Sequence, residues 1–278
     1  MYSGTTFRTK SGRLMGVHQR IDRVAHRHVT PFISRQVGFP SIKQILHFEG
    51  LNGPDGIKRK SPAKDEPWHF INPDDPSDTM LLDMIDAHIK NLTIALAEHN
   101  VERASFEAAW MAHAITDGLT PAHHYPLEET IEKLRDGKGI ATRNSTKEKI
   151  LLPGKNAREK IKNNWEFWGA KGVMTTHFNF ELGVATTISA AKLDTDHRFN
   201  ADDITALESY GFRPFFLDIL RQVHAMGMYE EFQKKGWTRH LARETKQELL
   251  PLIIKAVCAG WYMSILQLRT EGLICESD

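Results

Sequence analysis

Apolar positions along the chain recur mostly every three or four residues, the period of one face of a helix. In "VHQRIDRVAHRHV", Val17, Ile21, Val24 and His28 form one stripe. From Ser77 to His99 the stripe is Met80, Met84, Ile85, His88, Leu92 and Leu96, with Ser77 or Asp78 placed to cap the helix. Further helices are expected over 103–117, 175–192, 213–232 and 238–270, the first of these stopped by Gly118 and Pro121. Strand-like alternation between hairpin turns is scarce. The expectation is an all-α fold, one multi-helical domain over 1–278 without internal repeats. Irregular segments are expected at 48–76, rich in Gly, Pro and Asp, and at 137–157.

Composition narrows the class. The 278 residues are 41% hydrophobic and 26% charged, which suits a folded globular protein. A net charge of +1 gives no global pull toward nucleic acid or acidic membranes. The two cysteines, Cys258 and Cys275, form no CxxC pair, which excludes a disulfide framework and a thiolate zinc site. The run at 249–268 carries one charge, Lys255, but Pro251, Gly260 and Gln267 interrupt it, so it reads as a core helix. No transmembrane segment and no apolar leader are expected, which places the chain in the cytoplasm, with membrane contact limited to the periphery.

The chemistry concentrates in "WMAHAITDGLTPAHHY", residues 110–125. His113 and Asp117 stand one helical turn apart on one face, and a turn after Gly118 can bring His123 back beside Asp117. "THFNFELG" repeats the spacing with His177 and Glu181, and i,i+4 imidazole and carboxylate can share one cation. His69 lies in "EPWHFINPDD", Asp55 in the turn "NGPDG", and His18 at the start of the first helix. Each alone is weak, since an isolated histidine is more often structural or solvated than a ligand; the joint occurrence points to a metal site. His124 falls outside the spacing and is expected beside the site or exposed. His26, His28, His47, His88, His99, His197, His224 and His240 are expected to be structural or surface residues.

In order along the chain, these segments resemble the zinc-dependent phospholipase C and single-strand nuclease superfamily. "HQRIDRVA" is similar to its HxxIxxxA pattern, "WHFINPD" to HFxxPD, and HxxxDxxxPxH matches from His113 to His123, followed by HxxxE. The resemblance implies a multi-helical domain with clustered Zn2+ ions that hydrolyses phosphate esters. It assigns one zinc to Asp55, His69, His113 and Asp117, and a second to His123, His177 and Glu181. A third would share Asp117 and use His18. The family completes that third site with the amine and carbonyl of an N-terminal tryptophan, yet no tryptophan precedes His18. Cleavage near Gly16 or Val17, or other donors, would have to serve.

The family's zinc chemistry activates water for attack on phosphorus, and Asp55 would double as the general base. The expected activity is a phospholipase-C-like phosphodiesterase. A single-strand nuclease or nucleotidase, and a non-catalytic metal-binding member, stand as alternatives. The substrate is a phosphate ester, either a phospholipid head group or a nucleotide or nucleic acid. Residues 133–162 hold ten basic and three acidic residues, enough to steer an anion or simply to solvate a loop. Trp68, Phe70, Tyr125, Trp165 and Phe167 would form a base-stacking platform, a lipid-accommodating wall, or core.

Overall fold

The structure is a computed structural model that describes residues 1, 16–58, 69–124, 127–139, 142–189, 193 and 199–270. Among these residues there is no strand, and the fold is all-α. The helices are α1 (Val17–Val29), α2 (Ile42–Ile45), α3 (Pro54–Lys58), α4 (Met80–Ala97), α5 (Val101–Gly118), α6 (Leu127–Leu134) and α7 (Lys147–Ile150). They continue as α8 (Ala157–Trp168), α9 (Val173–Ser189), α10 (Ala201–Tyr210), α11 (Phe212–Ala225), α12 (Met228–Lys235), α13 (Arg239–Glu244) and α14 (Leu250–Thr270).

The centre is the α4–α5 hairpin, packed against α14 and α1. Ile85, Ile89 and Leu92 of α4 meet Ala108, Met111 and Ile115 of α5, and Ile253, Val257, Trp261 and Ile265 of α14 close the core. Gly260 allows α14 to lie this close: a Cβ there would sit 2.7 Å from Ile115 Cδ1. Buried polar groups on α14 anchor its neighbours. Trp261 Nε1 donates to Ala108 O of α5 at 2.9 Å, and Cys258 Sγ donates to Ala25 O of α1 at 3.3 Å. The α13–α14 helix is long and apolar enough to span a bilayer, but 78% of its most apolar window is buried inside the protein, as a core helix is. A second, small core of Ile131, Leu152 and Phe167 lies under α6, α8 and α9.

Several expected boundaries change. The helix starting near Ser77 begins at Met80 after Thr79; Asp78 instead accepts from Asn72 N. The expected 213–232 helix breaks at Gly227, whose φ of +60° ends α11 and starts α12. The 238–270 helix is continuous but widens into one π-helical turn over Thr245–Leu249. The segment expected to be irregular at 137–157 contains α7, and the 48–76 segment contains α3. Residues 59–68, 140–141 and 190–192 of the expected elements, and Cys275, lie outside the described residues.

Candidate metal centre

α5 is capped at its start by Asn100, whose side chain accepts from Arg103 N, and it ends at Gly118. Its last turn carries His113 and Asp117 inward, both buried. The chain then turns: Thr120 N donates to Asp117 O, and a 3-10 turn over Pro121–His123 follows. His123 returns as its spacing requires, with Nδ1 3.9 Å from Asp117 Oδ2. Segment 69–71 pairs with this turn through Ile71 N donating to His123 O. His123 Nδ1 lies 2.9 Å from His69 O, so this nitrogen carries the proton and Nε2 is left with its lone pair. That Nε2 faces Glu181 Oε1 at 3.2 Å, while His177 Nε2 lies 3.1 Å from the same oxygen.

Two buried groups of donor atoms emerge, each with its members within 4.8 Å of one another: His18, His113 and Asp117, and His123, His177 and Glu181. Either group can hold a metal ion. Asp117 joins them to the other expected ligands, with Oδ2 at 3.2 Å from His113 Nε2 and 3.7 Å from His69 Nδ1. Asp55 is the outlier. It lies in the first turn of α3 rather than in a loop, its Oδ1 is 3.9 Å from His113 Nε2, and its side chain is 25% exposed. The same carboxylate is thus the best placed of the set to meet water.

The donors fit a cation. His177 Nδ1 is buried without a hydrogen-bond partner, and the ring nitrogens of His113 face only carboxylates, Asp117 at 3.2 Å and Glu49 at 3.4 Å. Buried imidazole nitrogens and carboxylate oxygens that converge at such distances are what a metal ion satisfies.

The structure also places residue 1 at the site. The Met1 amine is buried 2.5 Å from Asp117 Oδ1 and 3.3 Å from Glu181 Oε1, and the Met1 carbonyl oxygen lies 2.9 Å from His18 Nε2. The carbonyl of residue 1 thus lies beside His18 and its amine beside Asp117. Two acids were also missed. Glu49 Oε1 lies 3.4 Å from His113 Nδ1 and orients that ring. Asp22, one turn beyond His18 on α1, is buried with neither oxygen hydrogen-bonded.

Charge in the site is strongly coupled. Burial opposes charge on the Met1 ammonium, but Asp117 and Glu181 outweigh it and push its pKa up to about 10. Burial likewise opposes ionisation of Asp117 and Glu181, yet the Met1 ammonium and surrounding imidazoles hold both well below the usual carboxylate range. Burial disfavours protonation of His113, but Asp117 and Glu49 reverse that and raise it well above the ordinary imidazole value. Asp22 goes the other way: burial and then the Glu49 charge raise its pKa well above the usual range. The cluster is an electron-rich pocket that demands positive charge, from protons or from metal.

His124, adjacent to the ligands, is held aside with Nε2 2.8 Å from Gly118 O, and burial pushes its pKa down to about 3. Three of the histidines expected to be structural or surface residues have acidic partners: His88 with Glu107, His224 with Asp74, and His240 with Glu231. Of the expected aromatic wall, Phe70 lies 5.1 Å from the His123 ring, Trp165 is exposed, and Phe167 is buried in the small core. Trp68 and Tyr125 lie outside the described residues. A groove lined by Asp86, Lys90, Tyr210 and Arg213 shares no residue with the site.

No family model, no curated protein and no solved structure matches this chain.

Proposed function

We propose that the protein is a zinc-dependent phosphoric ester hydrolase, most simply a phospholipase-C-like phosphodiesterase. The observation that carries this reading is the convergence on one carboxylate, Asp117, of donors from α1, α5, the 69–71 segment and residue 1, beside a second complete donor group on α9 and the 121–123 turn. The order of the motifs along the chain is that of the superfamily it resembles.

On this reading Asp55, His69, His113 and Asp117 hold one ion, and His123, His177 and Glu181 a second. His18, Asp117 and the Met1 amine and carbonyl hold a third. Such ions, when bound, lower the pKa of water toward about 7 and neutralise phosphoryl oxygens. The protein's own groups do the rest. Glu49 and the His69 carbonyl fix the rings of His113 and His123. Asp55, the most exposed carboxylate of the set, holds the attacking water and takes its proton. Water oxygen bonds to phosphorus, the ester P–O bond breaks, and the leaving alkoxide takes up a proton.

A single-strand nuclease is the second reading. It is favoured by Trp168 and Phe178, whose rings lie parallel within 10° at 6.3 Å beside His177. The test is metal analysis joined to a panel of phospholipid, nucleotide, single-stranded nucleic acid and generic phosphodiester substrates, with and without chelator. Two or more zinc equivalents and chelator-sensitive hydrolysis are expected, with lipid turned over fastest. Less than one equivalent after reconstitution with zinc rejects the metal assignment, and full loading without turnover of any substrate leaves a metal-binding protein rather than an enzyme.

A further inference from the structure

Exposed apolar side chains are unevenly distributed over this surface. Thirteen large ones stand exposed among the described residues, and seven of them fall between positions 150 and 182. α8 buries only Phe167. Its outer face carries Ile161, Trp165 and Trp168 at i, i+4 and i+7, which places them in one line. Ile161 is 73% exposed and Trp165 71%, values a soluble surface rarely gives to such residues. α9 continues the face with Phe178 and Leu182, one turn apart and both about half exposed. Trp168 ties the parts together: its ring stacks along Phe178, and its Nε1 donates to Ile150 O, whose own side chain is exposed.

The charge around this face is one-sided. Residues 142–171 contain eight basic and three acidic residues. Lys162 pairs with Glu166 and Lys155 with Asp136, but Lys147, Arg158, Lys160 and Lys171 are exposed with no ion pair among the described residues. The face also borders the chemistry, since Phe178 directly follows the donor His177 and their rings are 6.1 Å apart.

We infer that the α8–α9 face is a docking surface for anionic phospholipid bilayers. Tryptophan with aliphatic neighbours partitions into the boundary between head groups and acyl chains, and the surrounding cations meet the negative surface potential. Single-stranded nucleic acid fits less well, because stacking gives bases a use for Trp165 and Phe178 but none for Ile150, Ile161 and Leu182. A second copy of the same face fits less well again, since it would bring two basic surfaces together. The docking stands on this surface alone. That it presents a phospholipid phosphodiester to the metal centre rests on the hydrolase reading above, and makes membrane lipid the substrate class.

The experiment is co-sedimentation of the zinc-loaded full chain with phosphatidylcholine vesicles, with or without about 30 mol % phosphatidylserine. It compares the native chain, Ile161→Ser with Trp165→Ser, and Arg158→Glu with Lys160→Glu and Lys171→Glu. The native chain should sediment with anionic vesicles, less so in high salt. The apolar variant should lose about tenfold or more in partitioning to either vesicle, as expected for withdrawing two such side chains from the interface. The charge variant should lose affinity only for the anionic vesicles. Zinc content and hydrolysis of a soluble phosphodiester should be unchanged in both. Native protein that stays in the supernatant with anionic vesicles overturns the inference, as do variants that bind like the native chain. So does a native dimer that the apolar variant converts to monomer, or single-stranded DNA binding that exceeds vesicle binding. Vesicle binding as expected with no hydrolysis of vesicle or soluble ester would leave the docking surface standing and reject the hydrolase.

Discussion

Asp117→Asn removes one negative charge from the point on which the site converges. Oδ1 faces the Met1 ammonium at 2.5 Å, and Oδ2 faces His113 Nε2 at 3.2 Å. At an effective dielectric near 20, unit charges about 4 Å apart interact by roughly 4 kcal/mol. Removing one partner of a buried pair typically costs about 3–5 kcal/mol, because the other charge stays buried. Glu181 remains 3.3 Å from the amine and compensates in part, so the lower end applies. The metal-free variant should therefore lose about 3 kcal/mol, roughly 10 °C in melting temperature for a chain of this size. With zinc, the loss should concentrate in the ion shared with His18, because an amide nitrogen is a poor donor and two neighbouring cations would repel with less compensation. Turnover should fall about 100-fold or more, as when one preorganised electrostatic element is lost. The assay is zinc stoichiometry by plasma emission beside kcat on a soluble phosphodiester, with calorimetry on the metal-free protein. Full retention of every ion, with native melting, would remove Asp117 as the bridge.

Three other outcomes follow from the same geometry. Extending the chain by Gly-Ser ahead of Met1 converts the amine to an amide, and should cost the ion at His18 while sparing the one at His123, His177 and Glu181. Unchanged stoichiometry would exclude Met1 as a donor. Chelation should lower the melting temperature by about 10 °C, since an ion present at 1,000 times its Kd stabilises by about 4 kcal/mol; helicity by circular dichroism should persist, because the core lies largely apart from the ligands, and an unmoved transition would mean that no metal was held. Gly183→Ala would press a Cβ to 2.3 Å from the Trp237 ring and should cost about 1–3 kcal/mol while zinc stoichiometry at saturating metal is kept, a contact that an unchanged melting point would disprove.

What could be read from the sequence was what obeys a local period. His113 with Asp117, and His177 with Glu181, were legible because four residues make one turn whatever the tertiary fold. The long helices were legible for the same reason, through apolar stripes such as that of α4. Shorter helices were not: α8 buries only Phe167, so its stripe faces outward and its polar residues read as loop. The break at Gly227 was hidden because apolar residues continue across it at spacings of three, Val223, Met226, Tyr229 and Phe232. Asp55 was legible as an acid in a Gly-Pro context, but not as part of a helix. Glu49 had no spacing to mark it, whereas Asp22 did, four residues after His18 on α1. Met1 could not be found by pattern at all. Its chemistry belongs to the backbone, and the contact with Asp117 joins positions 116 apart.

α14 supplies none of the proposed ligands, yet it clamps two of the helices that do, through Trp261 on α5 and Cys258 on α1. Translation delivers every donor from residue 1 to residue 181 before this clamp exists. Until residues 250–270 have emerged and docked, α1 and α5 lack the partner that sets their spacing, and the donors cannot hold their mutual distances. On the proposed metal reading, capture of an ion therefore follows the docking of α14 rather than the synthesis of the donors themselves.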